Sequence, residues 1–238
     1  MTSDDNSILN LENPAECTIV GRLNRFVVQV KIADKPYLAS INNTGRLLEF
    51  LVPGRRAYCL PHTKPLKTDF QLFAIEEGGL GALIDTRLQM NAFEQALETG
   101  MIPWLDGFHQ VRRDAPLGRS LIDYLLTDGR HEVYLEVKSA ALREGEYAMY
   151  PDCPTTRGRK HIRELTEHRR KSGTACILFM AALPDVRAFK PNRPADPELY
   201  QLLLKAKRAG VELKALNIAY NPQRSAILLL NPDLTVEI

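Results

Sequence analysis

The pattern of apolar residues changes character at Glu76-Glu77-Gly78-Gly79, and that change constrains the fold more than any other feature. Before it, from about Cys17 to Ile75, apolar residues come in short β-branched runs with frequent turn signals and no helical period. Arg25–Ile32 alternates from Val28 onward and stops at the turn Asp34-Lys35-Pro36. Leu47–Val52, Arg56–Leu60 and Gln71–Ile75 repeat the pattern, separated by Pro53-Gly54 and by Pro61–Asp69. Around five short strands in that space predict a small closed barrel; an OB-like barrel fits, and an SH3-like barrel fits almost as well.

After the change, helices and strands alternate. A strand at Leu80–Ile84 precedes a helix over Asn91–Thr99, with Asn91 as N-cap and Gly100 as stop. Strands follow at Leu121–Leu126 and Val133–Val137, then a basic helix over Thr156–Lys171 and a buried strand over Ala175–Ala182. A helix over Pro197–Ala209 and a strand over Val211–Ala219 complete the series. Alternation of this kind predicts an α/β half with a mixed central sheet flanked by helices. The domain cut falls at Gly78-Gly79, giving a barrel over 1–78 and an α/β domain over 79–238.

Composition removes some classes. With 238 residues, 45% hydrophobic and 25% charged, the chain suits globular domains rather than disorder. No apolar run approaches the ~18 residues of a bilayer span. Met1–Ser7 is polar and acidic, unlike a secretory signal, so a cytoplasmic protein without a membrane partner is expected. Cys17, Cys59, Cys153 and Cys176 lack Cys-x-x-Cys spacing, which predicts free thiols rather than a zinc site. A formal charge of +2 announces no polyanion partner, so charge clustering matters instead.

The stretch Leu121–Lys138 carries the chemistry. It reads as a β-hairpin with Asp128-Gly129 at a two-residue tip. That register sets Asp123 opposite Tyr134, so Asp123, Glu136 and Lys138 share one face, the two carboxylates as diagonal neighbours. A four-residue loop keeps the same parity. Two carboxylates so placed can hold a hard divalent cation, which neutralises a phosphodiester and activates water. A lysine beside them can orient that water or steady developing charge. Asp followed by Glu-x-Lys on the next strand is the pattern of the PD-(D/E)xK nucleases, although Glu-x-Lys alone also suits an exposed strand edge.

The flanks narrow the reading. Leu121–Leu126, Leu135–Ser139, Tyr150–Thr155, Arg157-Gly158, Lys160-His161 and Glu164-Leu165 closely resemble the sugar fermentation stimulation protein (SfsA) family. Asn43–Leu47, Pro53-Gly54 and Ile84–Thr86 resemble it as well. The resemblance implies an OB-like nucleic-acid-binding barrel followed by a PD-(D/E)xK nuclease-like domain. It also implies a DNA-binding activity and, by analogy, the Val137 carbonyl as a third metal ligand; the residues themselves predict a nuclease dependent on Mg²⁺ or Mn²⁺, with Asp123, Glu136 and Lys138 catalytic and Asp123 and Glu136 on the metal. Glu94 and Asp114 are possible additional acids. The alternative it implies is a non-cleaving DNA-binding regulator of sugar-utilisation genes; an RNA-processing or protein-interaction module is remoter. Leu121 stands where the family has Arg, Asp114 where it has Glu, and Ser40-Ile41-Asn42 replaces a His-containing lead.

The remaining candidates are basic. Seven Lys or Arg fall between Arg157 and Lys171 against Glu164 and Glu167, at the start of a helix suited to phosphates. Arg157, Lys160 and His161 are the expected nucleic-acid contacts there, with Arg55 and Arg56 as their counterparts in the barrel. A solvated helix face and a solubilising loop are the plainer explanations of both runs. DNA is the first-choice partner and RNA the second.

Overall fold

The computed structural model describes residues 6–43, 45–64 and 66–238, so Met1–Asp5 and Thr44 of the motifs above lie outside the described residues. The chain forms two compact units, 1–95 with 182–185 and 217–230, and 96–181 with 186–216 and 231–238.

The first unit opens with β1 (Ser7–Asn10), β2 (Ala15–Asn24), β3 (Val27–Ile32), β4 (Lys35–Ser40), β5 (Arg56–Pro61) and β6 (Phe70–Glu77). Pairing runs β2-β3-β4-β6-β5 and returns to β2, with only β4 and β6 parallel. That circuit is the OB order, five strands closed on themselves, and it decides against the SH3-like alternative. Strand period explains the core: Val28 and Val30 point inward while Gln29 and Lys31 do not, and Ala39, Ala57, Cys59, Leu72 and Ala74 fill the barrel from the other strands. Ala33 and Asp34, both at positive φ, make the tight β3–β4 turn.

Leu47–Val52 is not the expected strand but a turn. The amides of Phe50 and Leu51 both bond the Leu47 carbonyl, and Leu47, Phe50 and Leu51 are buried while Leu48 is exposed. Spacing of three and four is helical, and a run of six residues is too short to tell it from period two. β7 (Leu80–Leu83) pairs antiparallel with β6. α1 spans Thr86–Glu98 rather than starting at Asn91. Asp85 is the reason: its carboxylate accepts from the Leu88 amide at 2.8 Å, well ahead of the expected cap. Phe93, Ala96 and Leu97 are buried as the helical period requires. β1 pairs with Ala226–Leu228, and Tyr220 stacks edge-on against Tyr58 and Phe73.

In the second unit, β8 (His109–Leu117), β9 (Ser120–Thr127) and β10 (Glu132–Ala140) form an antiparallel meander. β11 (Leu142–Glu144) and β12 (Tyr147–Tyr150) make a short hairpin, and α2 (Thr156–Arg170) crosses to β13 (Ala175–Ala181), which lies parallel to β10. β14 (Ala188–Pro191) lies parallel to β12, and α3 (Pro197–Arg208) packs on α2. β15 (Glu212–Asn221) and β16 (Ala226–Val236) each contribute residues to both units. The sheet is mixed, and among the described residues three α-helices accompany it. β13 is buried along its whole length, as a central parallel strand should be. All four cysteines are free thiols.

Candidate active site

The β9–β10 connection has four residues, not two. Thr127 pairs with Glu132, and Tyr134 faces Leu125 instead of Asp123. The Asp128 carboxylate accepts from the amides of Arg130 and His131, at 2.8 and 2.6 Å, and from the His131 ring at 3.0 Å. These bonds close an Asx-type loop that outcompetes the tight Asp-Gly turn. Parity survives, and the register carried on from Leu135 and Tyr124 puts Asp123 directly across from Glu136. The two residues are tied reciprocally: Asp123 Oδ2 accepts from the Val137 amide at 2.8 Å, and Glu136 Oε2 accepts from the Asp123 amide at 3.3 Å.

Lys138, two residues along the same face, donates from Nζ to Glu136 Oε1 in a buried ion pair. α2 covers this face. Its His161 is 4% exposed and bonds Glu136 Oε1 through Nδ1 at 2.5 Å. Arg157 Nε donates to His161 Nε2 at 3.4 Å, which assigns Nδ1–H as the donor toward Glu136.

The electrostatics are divided. Burial, and then the neighbouring Glu136, push Asp123 up to about 6. Burial alone would raise Glu136 too, but Lys138 and His161 together hold it below the ordinary range. Burial opposes the Lys138 ammonium, yet Glu136, Tyr150 and Asp123 outweigh it and hold the group above its ordinary value. Tyr150, at the end of β12, is the neighbour that sequence reasoning missed; burial raises its phenol and Lys138 opposes. Its appearance in the Tyr150–Thr155 motif was the only available signal.

The other sequence-derived candidates are spread more widely. Asp114 falls opposite Asp123, between the pairs Arg113–Tyr124 and Ala115–Ile122, at φ +49 on the exposed strand β8. Glu94 is half-buried on α1, in the first unit rather than the second. His161 is not a surface contact for phosphate but a buried partner of Glu136, because the helix face it shares with Ile162 and Leu165 turns toward the sheet. Lys160 bonds the Arg119 carbonyl, and Glu164 accepts from the Arg119 amide at 3.2 Å. Together they grip the β8–β9 turn, where a Cβ on Gly118, at φ +57, would collide with Glu164. Arg157 remains exposed at the helix start. In the barrel, Arg55 spends its guanidinium on the carbonyls of Glu49 and Glu76, at 2.6 and 2.7 Å, and Arg56 pairs with Glu16. Arg55 thus acts as a clamp within the barrel.

Among the described residues no three His, Cys, Asp or Glu side chains enclose a metal by themselves. The donor set nevertheless fits a hard cation: two carboxylates face each other across adjacent strands, and backbone carbonyl and water would complete the shell.

An OB barrel joined to a mixed α/β domain, with paired strand carboxylates and a lysine on one face, defines the class. Comparison with known proteins makes it specific. Residues 20–84 match the SfsA N-terminal OB domain and residues 87–224 match the sugar fermentation stimulation protein RE domain. The chain belongs to the sugar fermentation stimulation protein family. A homologue from Archaeoglobus fulgidus is 48% identical over 97% of this chain and 99% of its own length. One from Pyrococcus furiosus is 45% identical over 93% of this chain and 95% of its own. The structure of Pyrococcus furiosus SfsA in complex with Ca²⁺ superposes with a TM-score of 0.93 at 43% identity, covering 98% of this chain and 99% of that one.

Proposed function

We propose that the protein is a divalent-metal-dependent nuclease that cleaves phosphodiester bonds in DNA or RNA. The observation that carries this is the convergence of Asp123, Glu136 and Lys138 on one covered face of the β9–β10 pair, with Glu136 and Lys138 buried as an ion pair. A buried carboxylate facing a second carboxylate is costly for folding and favours a site selected for chemistry. The Ca²⁺ complex of the Pyrococcus furiosus relative supports a hard divalent cation. Asp123, Glu136 and the Val137 carbonyl would hold it, Mg²⁺ or Mn²⁺ being the ions for turnover.

Bound there, the cation would supply charge neutralisation of the phosphate and a nucleophile at neutral pH. The chain's own residues do the rest. Lys138 keeps its proton, so its ammonium can donate to a phosphate oxygen as negative charge grows there. His161 and Lys138 both donate to Glu136 Oε1, fixing that carboxylate in one rotamer. Arg157, at the start of α2, contacts the backbone of the bound strand. Asp114, across from Asp123, is an additional acid in this reading.

One observation favours the alternative of a non-cleaving DNA-binding regulator. Leu121, two residues from Asp123 on the same strand face, is 51% exposed where the family pattern has a basic side chain. The deciding experiment titrates Mg²⁺ or Mn²⁺ into purified protein with single- and double-stranded DNA and RNA, beside Glu136→Gln and Lys138→Ala. Metal-dependent cutting that disappears in both variants is expected. Binding without cutting on every substrate would give the site to the regulator reading.

A further inference from the structure

The barrel's basic and aromatic residues do not gather where Arg55 and Arg56 suggested, but at the tip of the β2–β3 hairpin. Leu23 and Phe26 are 57% and 56% exposed there, and Leu48 of the neighbouring turn is 72% exposed. Large apolar side chains rarely cluster in water without a partner. Arg22 explains why the two segments meet. Its guanidinium donates to the carbonyls of Asn24 at 3.1 Å, Arg25 at 2.8 Å, Gly45 at 3.0 Å and Arg46 at 2.7 Å. One cation ringed by carbonyls thus staples the hairpin tip to the 45–46 segment. Two more bonds stiffen it, the Phe26 amide to Asn24 Oδ1 at 2.9 Å and the Ile41 amide to the Phe26 carbonyl at 2.9 Å.

Arg25 lies over the Phe26 ring, 5.6 Å from its centroid, and Arg46 is exposed on the stapled segment. The charge is one-sided. Asp34 is the sole acid between Cys17 and Leu48, and it sits in the turn at the far end of β3, roughly 20 Å from the tip at ~3.3 Å per residue. Glu49 lies within the Leu47–Val52 turn and is half-buried. A rigid exposed aromatic with cations beside it is the chemistry that stacks an unpaired base and holds its phosphates.

We propose that this tip, built on Phe26 and Arg25 with Arg46 on the segment stapled to it, is a docking surface for single-stranded nucleic acid. This rests on the reading of the protein as one that acts on nucleic acid, and it names the strand state that the barrel takes. Duplex bases are already stacked and offer the ring no free face, so the tip selects unpaired segments.

The test measures binding of a fluorescein-labelled single strand of about 16 nucleotides, and of the same sequence as a duplex, in EDTA so that nothing is cut. Phe26→Ala should weaken single-strand binding about ten-fold or more, and Phe26→Tyr should restore it. Arg25→Ala with Arg46→Ala should lower the salt slope by roughly 0.7 for each phosphate that is no longer neutralised. Duplex affinity should change less. Phe26 and both arginines are exposed, so the variants should fold, and thermal melting checks that they do. Unchanged single-strand affinity in all variants, or a wild type that binds no single strand, overturns the proposal. A change of oligomeric state in Phe26→Ala without a change in affinity overturns it too, assigning the face to a second copy of the chain. The nuclease reading fails separately: a wild type that binds through Phe26 and never cleaves keeps this surface and loses the catalysis.

Discussion

Two buried carboxylate clusters in the second unit use similar residues to opposite ends. Asp196 is fully buried and caps α3, accepting from the Leu199 amide at 2.9 Å, from the Thr155 amide at 3.0 Å and from Arg159 Nε at 3.0 Å. Arg159 also pairs with Glu198 at 2.6 Å, so the cluster ties the start of α2 to the start of α3. Burial alone would raise Asp196, but Arg159 and the two amides hold it below the ordinary carboxylate range. Asp123 accepts one amide bond and faces another carboxylate, and it is pushed up to about 6. A carboxylate whose surroundings satisfy it is serving the fold. One left beside a like charge is raised instead, which is what the proposed metal-binding role asks of it.

The comparison breaks most sharply on activity. Glu136→Gln should lower metal-dependent cleavage by about 10²–10⁴-fold in the protein that stays folded, beyond the lowered melting temperature that follows from taking away the buried partner of Lys138. Asp196→Asn should lower the melting temperature alone, with cleavage by the folded protein nearly unchanged. Single-turnover assays beside thermal melts separate the two. A Glu136→Gln that unfolds while keeping its specific activity would erase the distinction.

His161 sharpens it. As a positioning residue acting through Glu136, its removal in His161→Ala should weaken metal binding by about 10–100-fold. Calorimetric titration of Mn²⁺ into the protein reads this directly, where a purely structural histidine would leave the affinity alone.

Asp196→Ala removes a cap and a charged bond to Arg159 together. A loss of about 2 kcal/mol is expected, read as a lower midpoint in urea with unchanged slope.

The pH profiles should differ in sign. For Asp196, with its folded value depressed, the stabilisation is present above the ordinary value of about 4 and is lost as pH falls through the folded value. For Asp123, raised to about 6, the metal-free native state binds the extra proton, so stability declines as pH rises from about 4 through 6. Asp123→Asn should flatten that decline in urea melts run with EDTA, and Asp196→Asn should flatten the acid side only.

The smallest effect belongs to the helix start. Arg157→Ala should weaken nucleic-acid binding a few-fold and reduce the salt slope by roughly one. Lys160→Ala should act instead through the β8–β9 turn, because its ammonium is already on the Arg119 carbonyl.

Much of this is legible in the sequence where the period is long and the parity strict. α2 and α3 are expected within a residue of their observed ends, since Thr155 and Asp196 are strong caps and Gly210 follows α3. The barrel is legible as a barrel, but not its order, because the parallel β4–β6 pairing joins residues that no local signal connects. β8 is exposed and mixed along its length and so shows no period, and the short strands β11, β12 and β14 offer too few residues for one to register.

By itself, the sequence determined that Asp123, Glu136 and Lys138 share a face, because strand parity is local and tolerates either a two- or a four-residue loop. It determined the basic helix and the β-rich first half for the same reason. Only the tertiary structure decided what each charge meets. His161 reaches Glu136 across 25 residues, and Arg22 reaches Arg46 across 24, because packing α2 on the sheet and closing a barrel bring distant segments together. Arg55 and Lys160 look like phosphate contacts in sequence, and in the fold each also clamps a backbone carbonyl of its own chain, which no local signal announces. Local periodicity sets which way a side chain points; what waits there is settled by the fold.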